Sequence, residues 1–550
     1  MTNLISLLLA IVSYTSPVNY QVTLAGNFGE PRPNHFHGGI DIKTDRREGK
    51  MIHAIGDGYV SRIIVNRGGF GKAIYIRHPE GYTSLYAHLK EFTPAIEALV
   101  RKVQYERKSF EVDFAVDATR LPVAQGQLVA ISGNTGASQA PHLHLEIHDN
   151  DTGNMLDPLE FLGHAITDGM PPKANSLMVC PVAGKGTVNG DSRKRFFPFG
   201  GAKALPRQIT AWGQIGFAIW ADDLMERGEG NRYGVRRSQL FVDGVEVYRS
   251  DVNDIPLNRN RMVNVWGDYD YFLHTRIWFL RSYRLPGNRL PFITTGKRNG
   301  VVNIDRERDY HCRYVLSDYF GNTAEYTFVV TGKRTGIHPF MPEHDARLIS
   351  WRRAHLLVNN GAMLQIPQGA LADDVYVRLS GRPSSAGLSS SYTFGTSVQP
   401  LLKAATLSIP FRKDIRDPRK LLVRSSDPRK PWLRGTCRNG RIYADVHELG
   451  HTYTLGCDET APSLEFRGIH VTPASHTVRV TAADNLTGIA SLHAYLDGRF
   501  ILLQPKGNTL DYTCRLEDTP VRPLGRLRRL HIVATDGVGN RREVAADITY

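Results

Sequence analysis

Nearly the whole chain is written in runs of four to eight β-branched and aromatic residues, each closed by a glycine-rich turn. That punctuation leaves no room for a helical fold and predicts strands. "GYVSRIIVN" (58–66), "KAIYIRH" (72–78) and "YTSLYAHL" (82–89) are separated only by "GGFG" (68–71) and "PEG" (79–81). One segment breaks the pattern: "PAIEALVRKVQYE" (94–106) reads as a single helix with Pro94 in its first turn. With 550 residues the chain is too long for one core. The expected class is all-β and multidomain: an N-terminal antiparallel β-sheet domain with a helical insertion, followed by β-sandwich domains of immunoglobulin-like type.

A weak internal repeat organises the later part. "FAIWADD" (217–223), "LFVDGVEVY" (240–248) and "SDYFGNTAEYTF" (317–328) are matched by "VRVTAADN" (478–485), "AYLDGRFIL" (494–502) and "TDGVGNRREV" (535–544). Each set is a strand ending in an acidic turn, a strand–DG–strand hairpin, and a D-x-x-G-N turn. With "DGMPPKANS" (168–176) as a linker, the expected units are 1–16, 17–168, 169–335, 336–458 and 459–550. The repeated aspartates suit either calcium or plain turn chemistry, and turn chemistry is the simpler reading.

The formal net charge of +14 points to acidic surroundings. No sustained basic-aromatic pattern for nucleic acid occurs, and "RKR" (193–195) and "RLRR" (526–529) are short enough to be solvated faces. Residues 4–12 are apolar but too few to span a bilayer, and resemble the core of a signal peptide with small residues at Ser13 and Ser16. Export to the periplasm or cell envelope is expected, with peripheral envelope contact and no transmembrane segment. Cys180, Cys312, Cys437, Cys457 and Cys514 form no CxxC pair, which argues against a thiolate zinc cluster. Cys437 with Cys457, and Cys180 with Cys312, are candidate disulfides.

"PHLHLEIHD" (141–149) sets His142, His144, Glu146 and His148 on one face of a strand and Leu143, Leu145 and Ile147 on the other. "NHFHGGIDIKT" (34–44) carries His37 and Asp41, four apart across two glycines that allow a tight turn and close approach of a ligand. Asp41 opens an apolar stretch and needs a cation or donor nearby. His37, Asp41 and one histidine of the 141–149 strand make a catalytic-type zinc set, with the neighbouring imidazole free to move a proton. His88 ends the "LYAHL" run near these two clusters.

H-x-x-x-D (37–41), "LYAHL" (85–89), "SGNTG" (132–136) and "PHLHLEI" (141–147), in this order, resemble the lysostaphin/LytM-type zinc endopeptidases. "GDGYV" (56–60) and "GFGKAIYIRH" (69–78) support the resemblance, which covers about residues 24–163. It implies a compact antiparallel β-sheet with a groove, one Zn2+ per chain, and hydrolysis of peptide bonds in bacterial peptidoglycan. It makes His37, Asp41 and His144 the metal ligands, and His142 and His88 the catalytic histidines. The segment 94–120 is longer than the family's short connection and is expected to wall the groove. His35 and His148 are expected to be structural or surface residues, and Asn34, Asn134 and Thr135 to shape turns. Glu146 either orients an imidazole or meets solvent. The competing function is a non-catalytic wall-binding or scaffold protein with a structural or blocked zinc site.

Overall fold

The computed structural model describes residues 14–225, 230–384, 387–411, 415–507 and 509–550. The apolar stretch 4–12 lies outside them. Tyr14 is already part of the fold, with ring centroids 4.9 Å from His78 and 5.7 Å from Phe161, and it is buried. Cleavage at Ser13 would keep this residue, whereas cleavage after Ser16 would remove it. Among the described residues no helix is long and apolar enough to cross a membrane.

The chain is all-β, as its turn-punctuated runs require. The first sheet runs Leu24–Gly26, Ile40–Lys43, His142–Asp149, Tyr82–Phe92, Lys72–Arg77, Gly58–Val65, Pro122–Val123, each strand antiparallel to the next. Its apolar face buries Ile40, Ile42, Leu143, Leu145 and Ile147 completely. Each such side chain contributes about 1.5–3 kcal/mol, so a one-residue slip that turned the histidines inward would cost many kcal/mol. Alternation along the strand thereby fixes which face the imidazoles occupy.

The helix Pro94–Arg107 starts at its proline and ends where Lys108 takes a left-handed conformation, φ 48°. Ile96, Val100 and Gln104, at four-residue spacing, turn into the core. The expectation that this insertion walls the groove is not met: no helix residue lines the cleft described below. Its outer side is covered by the C-terminal sandwich instead. Arg101 donates to the Asp518 carbonyl at 2.8 Å, and the Tyr105 and Phe500 rings meet edge to face.

Strands from 173 to 332 join into one ten-stranded sheet, with a parallel pairing of Ile209–Ala211 to Val330–Gly332. It shares its core with the first domain, since Phe28, Phe36 and Met155 pack with Leu177, Phe217 and Trp266. The strand Asp254–Ile255 even extends the first sheet by pairing with Met155–Leu156. Arg236 ties the seam, holding Asp157 at 2.8 Å and Glu160 at 2.9 Å from one side and Asp251 at 2.8 Å from the other.

Two five-stranded sheets follow between His355 and Cys457, then two four-stranded sheets between Ser463 and Thr549. The sequence repeat has a common architecture. The order Val245–Asp251, Arg237–Val242, Asp309–Ser317, Thr323–Gly332 is repeated by Arg499–Ile501, Ile489–Leu496, Leu527–Asp536, Arg541–Thr549. The candidate disulfides are not formed, and all five cysteines are free. Cys180 packs with Met178 and Phe279 while Cys312 belongs to the main core, and Cys437 and Cys457 lie in different sheets.

Candidate metal centre

Register builds the site. Asp41 lies directly across from His144, which on its other side faces Ala87; His142 lies across from Lys43. The two paired strands Ile40–Lys43 and His142–Asp149 therefore present Asp41, His142 and His144 on one face. His37 reaches the same point from the segment before its strand, because Gly38 and Gly39 hold the backbone against the histidine strand. A Cβ at Gly39 would fall 2.0 Å from the Leu145 carbonyl oxygen, and one at Gly38 2.7 Å from Glu146 Oε1. The glycines thus admit a neighbouring strand rather than a ligand, and neither has a positive φ.

One oxygen of Asp41 is the focus. Its Oδ1 lies 3.0 Å from His37 Nε2, 2.8 Å from His144 Nδ1 and 3.4 Å from His142 Nε2. His37 Nε2 and His144 Nδ1 are themselves 3.0 Å apart. His37, Asp41 and His144 are buried and offer one ligand atom each within 4.8 Å of the others. His88 completes the group, its ring centroid 4.8 Å from that of His142 and 5.9 Å from that of His144. His88 has φ 58° at a register irregularity against the strand Lys72–Arg77, so backbone strain is accepted where the ring is aimed inward.

Each imidazole is anchored through the nitrogen that points away from the centre. His37 Nδ1 sits 2.6 Å from the Asn27 carbonyl, His142 Nδ1 2.8 Å from that of Ala140, and His88 Nδ1 2.8 Å from that of Thr135. A carbonyl only accepts, so the anchoring nitrogen carries the proton and the inward nitrogen of each neutral ring presents a lone pair. His144 is anchored by a carboxylate: its Nε2 donates to Glu146 Oε1 at 2.8 Å. Glu146 Oε2 in turn accepts from His148 at 2.6 Å. The sequence left Glu146 between two roles, and the geometry makes it the partner that orients His144. His148 is structural through that same carboxylate.

The electrostatics follow. Burial alone would raise the Asp41 carboxyl, but the surrounding imidazoles of His37, His142 and His144 hold it far below the carboxylate range. Burial pushes His37 down to about 4, and burial with the neighbouring imidazoles does the same to His88. His144 moves the other way: burial opposes its charge, but Asp41 and Glu146 on either side raise it to about 9. A buried position held between two carboxylates thus favours positive charge, here a proton and equally a metal ion. Two inward nitrogen lone pairs and a carboxylate oxygen match the donor chemistry of a three-ligand zinc site.

The centre opens into a cleft of about 1060 Å3. Arg32, Lys43, Arg46 and the 137–142 turn line it with Asp41, His88 and His142. Arg32 was not anticipated, though a buried Asp41 needed such a partner; its Nη2 lies 2.7 Å from Asp41 Oδ2. No tyrosine lines the cleft among the described residues. Gly230 and Asn231 reach it from the second domain, which nothing local in the sequence signals. Asn34 shapes a turn at φ 70° and pairs with Asn264, and His35 is exposed. Thr135 does more than shape its turn. Its hydroxyl links Lys72 and Leu89, and its carbonyl holds His88.

Residues 35–105 match the family model for Peptidase family M23, and residues 346–458 that for a Zu5-like domain. A Haemophilus influenzae protein called "Uncharacterized metalloprotease" is 31% identical over 142 residues, 26% of this chain and 24% of that protein. "DD-carboxypeptidase/endopeptidase Mpg" of Neisseria meningitidis serogroup B is 32% identical over 123 residues, 22% of either chain. Among solved structures, the catalytic domain of lysostaphin from Staphylococcus simulans is 25% identical, with a TM-score of 0.19 over 26% of this chain and 93% of that one. The chain spans about a quarter of the length of the curated relatives it matches.

Proposed function

We propose, from the Peptidase family M23 domain that the N-terminal part of this chain carries, that the protein is an exported zinc endopeptidase cleaving peptide bonds of bacterial peptidoglycan. The observation that carries the reading is the convergence of His37, Asp41 and His144 beside two further inward-facing imidazoles. His37 Nε2, Asp41 Oδ1 and His144 Nδ1 would hold the ion. Bound there, zinc would supply a Lewis acid that polarises the scissile carbonyl and acidifies water.

The remaining work falls to the side chains. His142, its Nδ1 proton fixed on Ala140, has Nε2 free at the centre to accept a proton from the attacking water and return it to the departing amine. His88 stands beside it with its Nδ1 held by Thr135, so that Nε2 would share the proton taken from water and, carrying it, donate to the oxygen on which negative charge develops. Glu146 keeps His144 in the tautomer that ligates. Arg32, Lys43 and Arg46 give the cleft a cationic wall suited to the carboxylates of a wall peptide. The basic net charge suits an anionic envelope.

The test is digestion of purified peptidoglycan by the zinc-loaded protein, with mass spectrometry of the released peptides. New amine and carboxyl ends that disappear with a chelator and return with zinc are expected. Intact wall, or cleavage that a chelator leaves unchanged, would overturn the reading.

A further inference from the structure

A second group of acids, two buried and one half-buried, lies at the seam between the first two domains. Asp168 comes from the linker, Asp223 follows the strand Ile209–Asp222, and Asp318 follows the strand Asp309–Ser317. One carboxylate oxygen of each lies within 4.8 Å of the others. Asp223 is 2% exposed and Asp318 5%. Asp223 Oδ1 and Asp168 Oδ2 are inaccessible to solvent and have no hydrogen-bond partner. Among the described residues no lysine, arginine or histidine pairs with any of the three. Unpartnered carboxylate oxygens on acids that converge call for a positive charge among them.

The C-terminal sandwich supplies an internal comparison, because Asp458, Asp484 and Asp536 converge in the same way. The frame is the same bond for bond. Asn322 N–H donates to Asp318 Oδ1 at 2.9 Å, and its Nδ2 to Asp318 Oδ2 at 2.6 Å and to the Asp168 carbonyl at 3.3 Å. Asn540 N–H donates to Asp536 Oδ1 at 2.8 Å, and its Nδ2 to Asp536 Oδ2 at 2.8 Å and to the Asp458 carbonyl at 2.9 Å. The middle aspartate differs. Asp484 Oδ2 accepts the N–H groups of Leu486, Thr487 and Gly488, and the Thr487 hydroxyl also reaches Asp458. Among the described residues Asp223 has only the adjacent Leu224 N–H at its carboxylate. At the seam the Met170 and Asn322 N–H groups serve Asp168 and Asp318, at 2.8 and 2.9 Å, and Asp223 Oδ1 is left without a partner.

We propose that Asp168, Asp223 and Asp318 bind a hard divalent cation of the Ca2+ class, which fastens the linker to the second domain. An all-oxygen donor set without imidazole or thiolate selects such an ion over zinc. The same ion acts on the cleft. Asp223 and Tyr233 exchange backbone hydrogen bonds at 2.9 and 3.0 Å, and the Tyr233 hydroxyl donates to the Leu24 carbonyl at 2.6 Å. Asn231, two residues earlier, bonds the same carbonyl at 3.2 Å and lines the cleft with Gly230. A cation on Asp223 therefore steadies the base of the segment that walls the metal centre. The site itself does not depend on the peptidase reading.

The full-length protein, stripped of metals and restored with one equivalent of zinc, is titrated with Ca2+ and separately with Mg2+ by calorimetry and thermal melting. Ca2+ is expected to bind at about 10⁻⁴ to 10⁻³ M or tighter and to raise the melting temperature. Asp223→Asn is expected to lose one equivalent of bound Ca2+, and to melt higher than the native chain when both are free of Ca2+. Asp318→Asn repeats the test should the first variant fold poorly, and the melting shift of the native chain needs no variant at all. No heat and no shift at millimolar Ca2+, or an unchanged stoichiometry in folded variants, would overturn the proposal.

Discussion

Asp41 and Asp223 are the same residue in comparable burial, 6% and 2% exposed, yet their acidities part in opposite directions. Asp41 sits among imidazoles and stays far below the carboxylate range. Asp223 has burial and the charges of Asp318 and Asp168 against it, and rises to about 8. Burial alone therefore does not decide the state of an acid; the donors that accompany it do. The first domain surrounds its buried carboxylate with imidazoles. The seam brings donors to Asp318 and Asp168 but sets Asp223 against the other two acids.

The largest effect should come from the imidazole that does not ligate. His142→Ala is expected to lower hydrolysis of wall peptides by roughly 10²–10⁴-fold while zinc stoichiometry, measured by atomic absorption, stays at the native level. Loss of zinc in that variant would assign His142 to the ligand set instead, and unchanged hydrolysis would remove His142 from proton transfer.

Glu146→Gln tests the anchor. It keeps the shape but removes the charge that orients His144, and should weaken zinc about 10–100-fold in a competition titration. Native affinity in Glu146→Gln would reduce Glu146 to a packing role.

Zinc uptake should also release protons at pH 8, about one per ion, because His144 in the metal-free centre titrates near 9. Calorimetry in buffers of different ionisation enthalpy reads this directly. No buffer dependence at that pH would mean His144 is already neutral.

The smallest effect is on stability against pH. Asp223 is protonated in the folded chain up to about 8 but ionised in the unfolded chain above about 4. Folding takes up a proton between those values, so its contribution to stability falls as pH rises across that window. Asp168, raised to about 6, acts in the same sense. In the absence of Ca2+, melting of the native chain should decline from pH 5 to 8 more steeply than that of Asp223→Asn. Parallel curves would show that Asp223 does not carry the shift.

Much of the first site was legible in the sequence because alternation along 142–148 assigns a face without knowledge of any partner strand, and the H-x-x-x-D spacing places His37 and Asp41 together. The role of Glu146 was half legible: its face was evident, but only the direction of the His144 ring shows which nitrogen it holds. Arg32 lay in plain sight two residues before Asn34, and a buried carboxylate nearby was reason to look for it. The wall of the cleft was misjudged because a helix with an apolar stripe can pack on either neighbour. Here the C-terminal sandwich, distant in sequence, took its outer side.

The sequence by itself determined the all-β class, the histidine-bearing face and the D-x-x-G-N repeat, because these rest on the two-residue period of a strand and on turn chemistry, both local. Tertiary structure alone decided that Asp168 joins Asp223 and Asp318, that Gly230 and Asn231 reach the cleft, and that the first two domains share a core. Those contacts join residues tens to hundreds of positions apart, and their energies come from burial and charge brought together only when the chain closes on itself.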